Sequence, residues 1–285
     1  MTDLPTRLPP KRRLRRFAAH AALYTASGIT VLLLILLIGA IFVRGLKHLS
    51  LQLLTTQPSY LANTIGILPN ILNTLYIILT AMVLALPLGV GAAVYLTEYA
   101  KGKRLPHLIE FAAETLSGIP SIIFGLAGML LFIRLFGLKQ GVLAGSLTLV
   151  IMILPTIMRT TQESLKTVPD AYREGALALG SGKWHMIRTV VLPNAADGIV
   201  TGCILAVGRI VGESAALLFT AGFGCVLSDY FTSLGSSSAT LSVALYIYAS
   251  ERGETGVAFA IAAVLMVLVL LINLAADRAA KKLKK

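Results

Sequence analysis

The amino-acid sequence predicts an all-α, polytopic membrane protein with six transmembrane helices, on three observations. The 285 residues are 56% hydrophobic and 13% charged, with a mean hydropathy of +0.82, which is more apolar surface than a water-soluble domain buries. The apolar residues collect into six runs that meet or approach the roughly 20 residues a helix needs to cross a hydrocarbon core about 30 Å thick. The 25 Lys and Arg, against 13 Asp and Glu, sit between those runs and are dense in alternate gaps. That alternation describes a membrane topology, so the net charge of +12 does not point to nucleic acid.

The first run, Leu23 to Val43, follows a basic segment, residues 1–22. It is too long for a cleavable signal and lacks a convincing small-residue cleavage site, so it reads as an uncleaved anchor. The next runs are Ile71 to Leu96, Leu116 to Phe136, Val142 to Met158, Ala196 to Phe219 and Val257 to Ala276, ahead of a basic tail, residues 277–285. Residues 23–276 are expected to form a single transmembrane domain.

Nineteen Lys and Arg fall in the amino-terminal segment, the gap holding Lys101, Lys103 and Arg104, the gap from Arg159 to Ala195, and the tail. Five fall in the other gaps: Arg44, Lys47, Arg134, Lys139 and Arg252. The excess of positive charge on cytoplasmic loops then places both termini and the long gap after the fourth span in the cytoplasm. Arg209, inside the fifth run, belongs to neither side. In the third run Pro120 is expected to kink the helix, its flanking Ser117 and Ser121 either turning hydroxyls inward or re-satisfying freed backbone groups.

Several chemistries drop out. Cys203 and Cys225 make no disulfide framework, and four scattered histidines offer no metal-ligand spacing. Gly180-Ser181-Gly182-Lys183 ends like a phosphate-binding P-loop, but Leu177 stands where the first glycine belongs, Trp184 where Ser or Thr belongs, and no strand precedes it. The chain is therefore expected to bind no metal, to carry no catalytic residue and to hydrolyse no ATP.

The external gap from Ala221 to Gly256 places Leu241, Ala244, Leu245 and Tyr248 at helical spacing, for a short helix lying on the surface, on a partner, or against its own bundle. In the cytoplasmic gap, Thr167 to Asp170 offer a helix start with an early proline. Tyr172, Ala176 and Leu179 share one helical face, Gly180 stops that helix, and Ser181 can cap a second. The second helix carries Trp184, Ile187 and Val191 on one side and ends at Leu192-Pro193. The whole hairpin, residues 167–193, shows an aromatic, apolar face that either docks a partner or packs on its own chain.

Glu174-Gly175-Ala176, three residues, Gly180, nine residues and Val190-Val191-Leu192-Pro193 resemble the EAA signature of importer-type ABC permeases. Gly175 replaces an Ala and Val190 an Ile. The resemblance implies the MetI-like, type I importer permease fold. It also implies a coupling hairpin that inserts into an ATPase subunit, with Glu174, Ala176, Gly180, Leu192 and Pro193 as coupling residues.

In the fifth run an arginine at mid-membrane costs at least roughly 2.5 kcal/mol on insertion scales, so Arg209 must face protein or water. At 100° per residue, Gly198, Gly202, Arg209, Gly212, Glu213 and Ala216 share one face, opposite Val200, Cys203, Ile204, Val207, Ile210, Val211 and Leu218. The small, charged face borders an interface or a substrate path, and a guanidinium suits oxyanions; a purely structural Arg209–Glu213 pair is the alternative.

Arg209 to Ala221, together with Leu86 to Gly89, Tyr95 to Ala100, Pro120 to Leu126 and Arg159 to Glu163, is similar to the PstA family, one of two membrane subunits of the high-affinity phosphate importer. Ser214 replaces a Thr and Ala216 a Pro, and losing that proline is expected to straighten the helix beyond Glu213. The resemblance implies a substrate pathway through Arg159, Arg209 and Glu213, with Ser117, Ser121 and Ser214 as secondary lining. It further implies a PstC-like second permease, a PstB-like ATPase dimer that holds ATP and Mg, and a periplasmic PstS-like phosphate-binding protein. The rival readings are a permease for sulfate, molybdate or a phosphonate, an ion-coupled secondary transporter using Arg209 and Glu213, and a non-transporting scaffold.

Overall fold

The computed structural model describes residues 10–283 except 59–63, 101 and 103, so residues 1–9 of the basic amino-terminal segment, with Lys101, Lys103, Lys284 and Lys285, lie outside the described residues. Among the described residues all regular structure is helical. In chain order the helices are α1 (Pro10–Gly45), α2 (Leu51–Thr55), α3 (Leu68–Val94), α4 (Arg104–Ser117), α5 (Ser121–Gly128), α6 (Val142–Thr167) and α7 (Asp170–Ala178). There follow α8 (Lys183–Met186), α9 (Leu192–Asn194), α10 (Ala196–Gly212), α11 (Ala215–Thr220), α12 (Tyr230–Leu234), α13 (Leu241–Tyr246) and α14 (Thr255–Leu283). Wider π-type turns continue α3, α5, α8 and α13 to Tyr99, Leu135, Val191 and Glu251 respectively.

Among the described residues four helical stretches are long and apolar enough to cross a membrane unaided, and counting each of two bent pairs as one span brings the number to six. From Val31 to Val43 α1 is apolar all round, each of Leu32 to Leu37 being more than half exposed, which only lipid or a partner can accommodate. Its far end closes on α14, where a Cβ at Gly45 would stand 2.5 Å from the Phe259 carbonyl oxygen. The central core is built by α3, α5, α6, α10 and α11, with Ile77, Leu149, Ile153, Ile157, Ile210 and Leu217 buried together. Small residues permit that approach: a Cβ at Gly125 would meet the Ala216 Cα at 2.8 Å, and one at Gly202 would collide with the Thr160 hydroxyl.

Two expected spans are broken. The third does not run from Leu116 through Phe136; it turns by 104° between α4 and the stretch Ser121–Leu135. Pro120 supplies no amide hydrogen and is itself extended (φ −58°, ψ 139°), so the elbow is far sharper than a kink. α4 is thus a separate amphipathic helix that carries Glu110 and Glu114 one turn apart. The fifth does not continue to Phe219: α10 ends at Gly212, Glu213 is extended (φ −82°, ψ 118°), and α11 begins afresh at Ala215.

The segment after Ala221 packs on its own bundle. Leu241, Ala244 and Tyr248 are buried against Leu53, Ile67 and Ile261, so the own-bundle alternative holds for that helix. Asn70 and Asn73 both donate to the Ala239 carbonyl (3.0 and 3.2 Å), and the Tyr230 hydroxyl lies 3.0 Å from that of Thr80, well inside α3. Asp229 starts α12 by accepting from the Thr232 hydroxyl and amide, which hold its carboxyl below the usual range.

Candidate functional site

At the end of the bundle that carries the hairpin, α4 lies across α6. Arg159 on α6 pairs with Glu114 of α4 (Nη2 to Oε1, 2.8 Å) and more loosely with Glu163 one turn on (3.9 Å), all three side chains being exposed. Gln162 donates to Glu110 at 3.4 Å. These residues surround a cleft of about 210 Å3, with Ser117 and Lys166 on its rim. The Ser117 hydroxyl donates to the Ala113 carbonyl at 2.9 Å, the backbone role a serine beside a helix break often takes. Ser121 is the half-buried first residue of α5.

Arg209 stands on the neighbouring helix. Gly202 of α10 packs on Thr160, beside Arg159, and Arg209 lies seven residues on, about 10 Å further from the hairpin end at 1.5 Å per residue. It does not line the cleft. On α10 the exposed strip is Asp197, Thr201, Leu205, Gly208 and Gly212, with half-buried Arg209 at its edge. The expected division of faces is therefore corrected: Gly198 and Gly202 are used against Ser164 and Thr160 of α6, and Val207, Ile210 and Val211 turn into the chain's own core. The outward strip is the small-residue side at Gly208 and Gly212, where a second helix has room to approach.

Glu213 does not lie on the same helix as Arg209. Its Oε1 accepts the Ala216 amide (3.0 Å), capping α11, and its carbonyl accepts the Ser242 hydroxyl (2.7 Å). No ion pair joins it to Arg209 among the described residues. The missing proline at Ala216 does not straighten the helix, because this carboxylate cap and the Ser242 contact hold the break without it. Each charge instead meets a helix end of opposite polarity: Arg209 sits in the last turn of α10 and Glu213 at the start of α11. Ser214, half-buried in the link between α10 and α11, makes no side-chain cap.

The hairpin forms with adjusted boundaries. α7 starts after Pro169, and the Thr167 hydroxyl turns back to the Ser164 carbonyl, so Thr167 is not its cap. Gly180 has φ +81° and ends the helix as expected, whereas Gly182, not Ser181, precedes α8. Tyr172, Leu177 and Trp184 are about half exposed and Leu179 is 91% exposed; Glu174 also faces outward, and Ala176 is half-buried. Ile187 and Val191, expected beside Trp184, are buried with Leu165 and Met186 under the hairpin. Leu192 and Pro193 lie in α9 at the base, where the chain turns by 67° into α10, away from the exposed tip.

Sequence reasoning missed Glu110 and Glu114, because the stretch before Leu116 was not read as a helix; the i, i+4 carboxylates between apolar residues were its signal. It also missed the pairing of Arg173 with Glu98, which are 75 residues apart.

Residues 85–285 match the family model described as "Binding-protein-dependent transport system inner membrane component". "Probable ABC transporter permease protein YqgI" of Bacillus subtilis (strain 168) is 40% identical over 196 residues, 69% of this chain and 67% of that protein. "Phosphate transport system permease protein PstA 1" of Mycobacterium tuberculosis (strain CDC 1551 / Oshkosh) is 32% identical over 279 residues, 93% of this chain and 88% of that one. PstA of Yersinia pestis is 36% identical over 239 residues, 82% and 79% of the two chains. Among solved structures, a chain of a bacterial alginate ABC transporter superposes with a TM-score of 0.70 at 14% identity, covering 96% of this chain and 98% of that one. A chain of the inward-facing MetNI methionine ABC transporter gives 0.60 at 22% identity, covering 77% and 95%. The fold is that of the MetI-like importer permeases, and the chain belongs to the family of binding-protein-dependent transport system inner membrane components, in the group of PstA-type permeases.

Proposed function

We propose that the chain is the permease subunit of an ATP-driven inorganic phosphate importer, forming half of the translocation path together with a PstC-like permease. The observation that carries this reading is Arg209, whose acidic neighbour Glu213 is committed to a backbone cap, so that a guanidinium without an ion pair among the described residues borders the exposed small-residue strip of α10. An uncompensated fork of donors in a low-dielectric passage lowers the cost of moving a phosphate oxyanion. Arg159, partly neutralised by Glu114, receives the anion at the mouth of the cleft and passes it on to water.

The exposed tip of the hairpin, with Glu174 and Leu179, docks into a PstB-like ATPase dimer that holds ATP and Mg on separate chains. A periplasmic PstS-like protein delivers phosphate at the opposite end. Closure of the ATPases moves the hairpin and rocks the spans. The chain is a multi-pass protein of the bacterial inner membrane, both termini cytoplasmic, and a reporter fused after Lys285 is inaccessible from outside while one near Gly235 is accessible.

A permease for another oxyanion shares the same geometry, and what favours phosphate is the phosphate-transport name borne by relatives covering most of the chain. The test is uptake of labelled phosphate by the reconstituted complex with sulfate, molybdate or a phosphonate as competitor. Import that needs ATP and is blocked only by unlabelled phosphate supports the assignment; import of another oxyanion in its place, or import driven by membrane potential without ATP, contradicts it.

A further inference from the structure

We infer that Arg173 is a positioning residue that clamps the coupling helix α7 to the ends of two spans at once, α3 through Glu98 and α6 through the Leu165 and Val168 carbonyls. Its Nε and Nη2 donate to Glu98 Oε1 at 3.1 and 2.9 Å, Nη2 to the Leu165 carbonyl at 2.9 Å, and Nη1 to the Val168 carbonyl at 2.7 Å and to Asp170 Oδ1 at 3.1 Å. Those five bonds use all the donors a guanidinium has. The Arg173 side chain is 16% exposed and that of Glu98 is 6% exposed, in contrast to the Arg159–Glu114 pair.

The arrangement has a direction. Arg173 immediately precedes outward-facing Glu174 but turns inward, so α7 shows one side to the solvent and anchors the other. The second limb of the hairpin is tied to the same turn: Lys183 donates to the Glu98 carbonyl and lies over the Tyr99 ring, 4.8 Å from its centre. Both limbs therefore hold the last turn of the second span, and Arg173 adds hydrogen bonds to the end of the fourth, where Ile187 and Val191 of the second limb make only apolar contact with Leu165. Leu165 and Val168 close the helix that bears Arg159, six residues before Leu165. A displacement of α7 is passed directly to the helix that forms the cleft, because a fully bonded, mostly buried guanidinium leaves no slack to absorb it.

This inference rests on the reading of the hairpin as the ATPase contact, and it specifies how the contact is transmitted. An ordinary ion pair and a clamp differ in what rescues them. A reversed pair, Glu98→Arg with Arg173→Glu, restores an ion pair, but it sets a carboxylate against the Leu165 and Val168 carbonyls, which need donors.

The test uses the full complex in proteoliposomes, reading ATP hydrolysed and phosphate imported for Arg173→Lys, Glu98→Gln and the reversed pair. A cysteine at Ala178 reports ATPase docking by crosslinking in every variant. The clamp predicts that Arg173→Lys and Glu98→Gln still crosslink and still hydrolyse ATP while phosphate imported per ATP falls by about tenfold. It also predicts that the reversed pair does not recover the ratio. An unchanged ratio in both single variants, recovery in the reversed pair, or loss of crosslink and hydrolysis together in both single variants would each overturn it. Absence of the crosslink in the parental, active complex refutes the docking reading instead, which keeps the two failures apart.

Discussion

The Glu213 carboxylate accepts the Ala216 amide at 3.0 Å and forms no ion pair with Arg209, although only three residues separate them. On an unbroken helix they would face one another a turn apart; the break at Glu213 places them on different helices. Glu213→Gln keeps an oxygen that can accept that amide, so the complex should assemble with unchanged thermal stability. Glu213→Ala removes the cap and should cost about 1 kcal/mol, read as a lower Tm of the purified complex. Equal loss in both variants would mean that charge rather than capping holds the break.

The Arg159–Glu114 pair makes the opposite split between stability and transport. Both side chains are 59% exposed, so Glu114→Gln should change stability by less than about 1 kcal/mol. Phosphate import should nevertheless slow, because the freed guanidinium holds the anion where Glu114 otherwise competes for it. Initial rates of uptake at saturating phosphate, with Tm measured on the same preparation, check both halves.

Two glycines of the hairpin should respond in opposite senses. A Cβ at Gly175 meets nothing within 4 Å, and the position is inside α7, so Gly175→Ala should stabilise by about 0.5–1 kcal/mol and leave coupling intact. Gly180 has φ +81°, where a β-branched residue is strained whatever the space, so Gly180→Val should distort the tip and lower ATPase docking. Crosslinking from cysteines at Ala178 and Ser181 to the ATPase measures that docking.

The six apolar runs were legible because lipid imposes length and hydropathy on each span independently of its neighbours. Gly180 was legible as a stop for a local reason, the conformation it must adopt. The breaks were harder to read. Pro120 announced a bend but not one of 104°, since its size depends on α4 lying across α6. The break at Glu213 carries no proline, and its stabilising partner Ser242 lies 29 residues away. Periodicity likewise separated a greasy face of α10 from a small one without saying which turns inward; Val211 and Ile210 are buried, and Gly208 and Gly212 face outward. In a membrane bundle an apolar face is equally at home against protein or lipid, so hydropathy alone does not orient a helix. Ion pairs that join distant segments, Arg173 with Glu98 and Arg159 with Glu114, leave no trace in spacing.

Arg209 carries the central claim, and the most direct measurement is phosphate uptake by the Arg209→Gln complex beside the Arg209→Gln, Glu213→Gln double variant. An amide keeps donors but loses the charge that offsets desolvation of the anion. Because Glu213 is bound to the backbone rather than to Arg209, neutralising it as well should restore nothing. Both complexes are expected to assemble, retain ATP hydrolysis and import essentially no phosphate. A double variant that imports phosphate at the parental rate would contradict the account and make the two residues a structural charge pair.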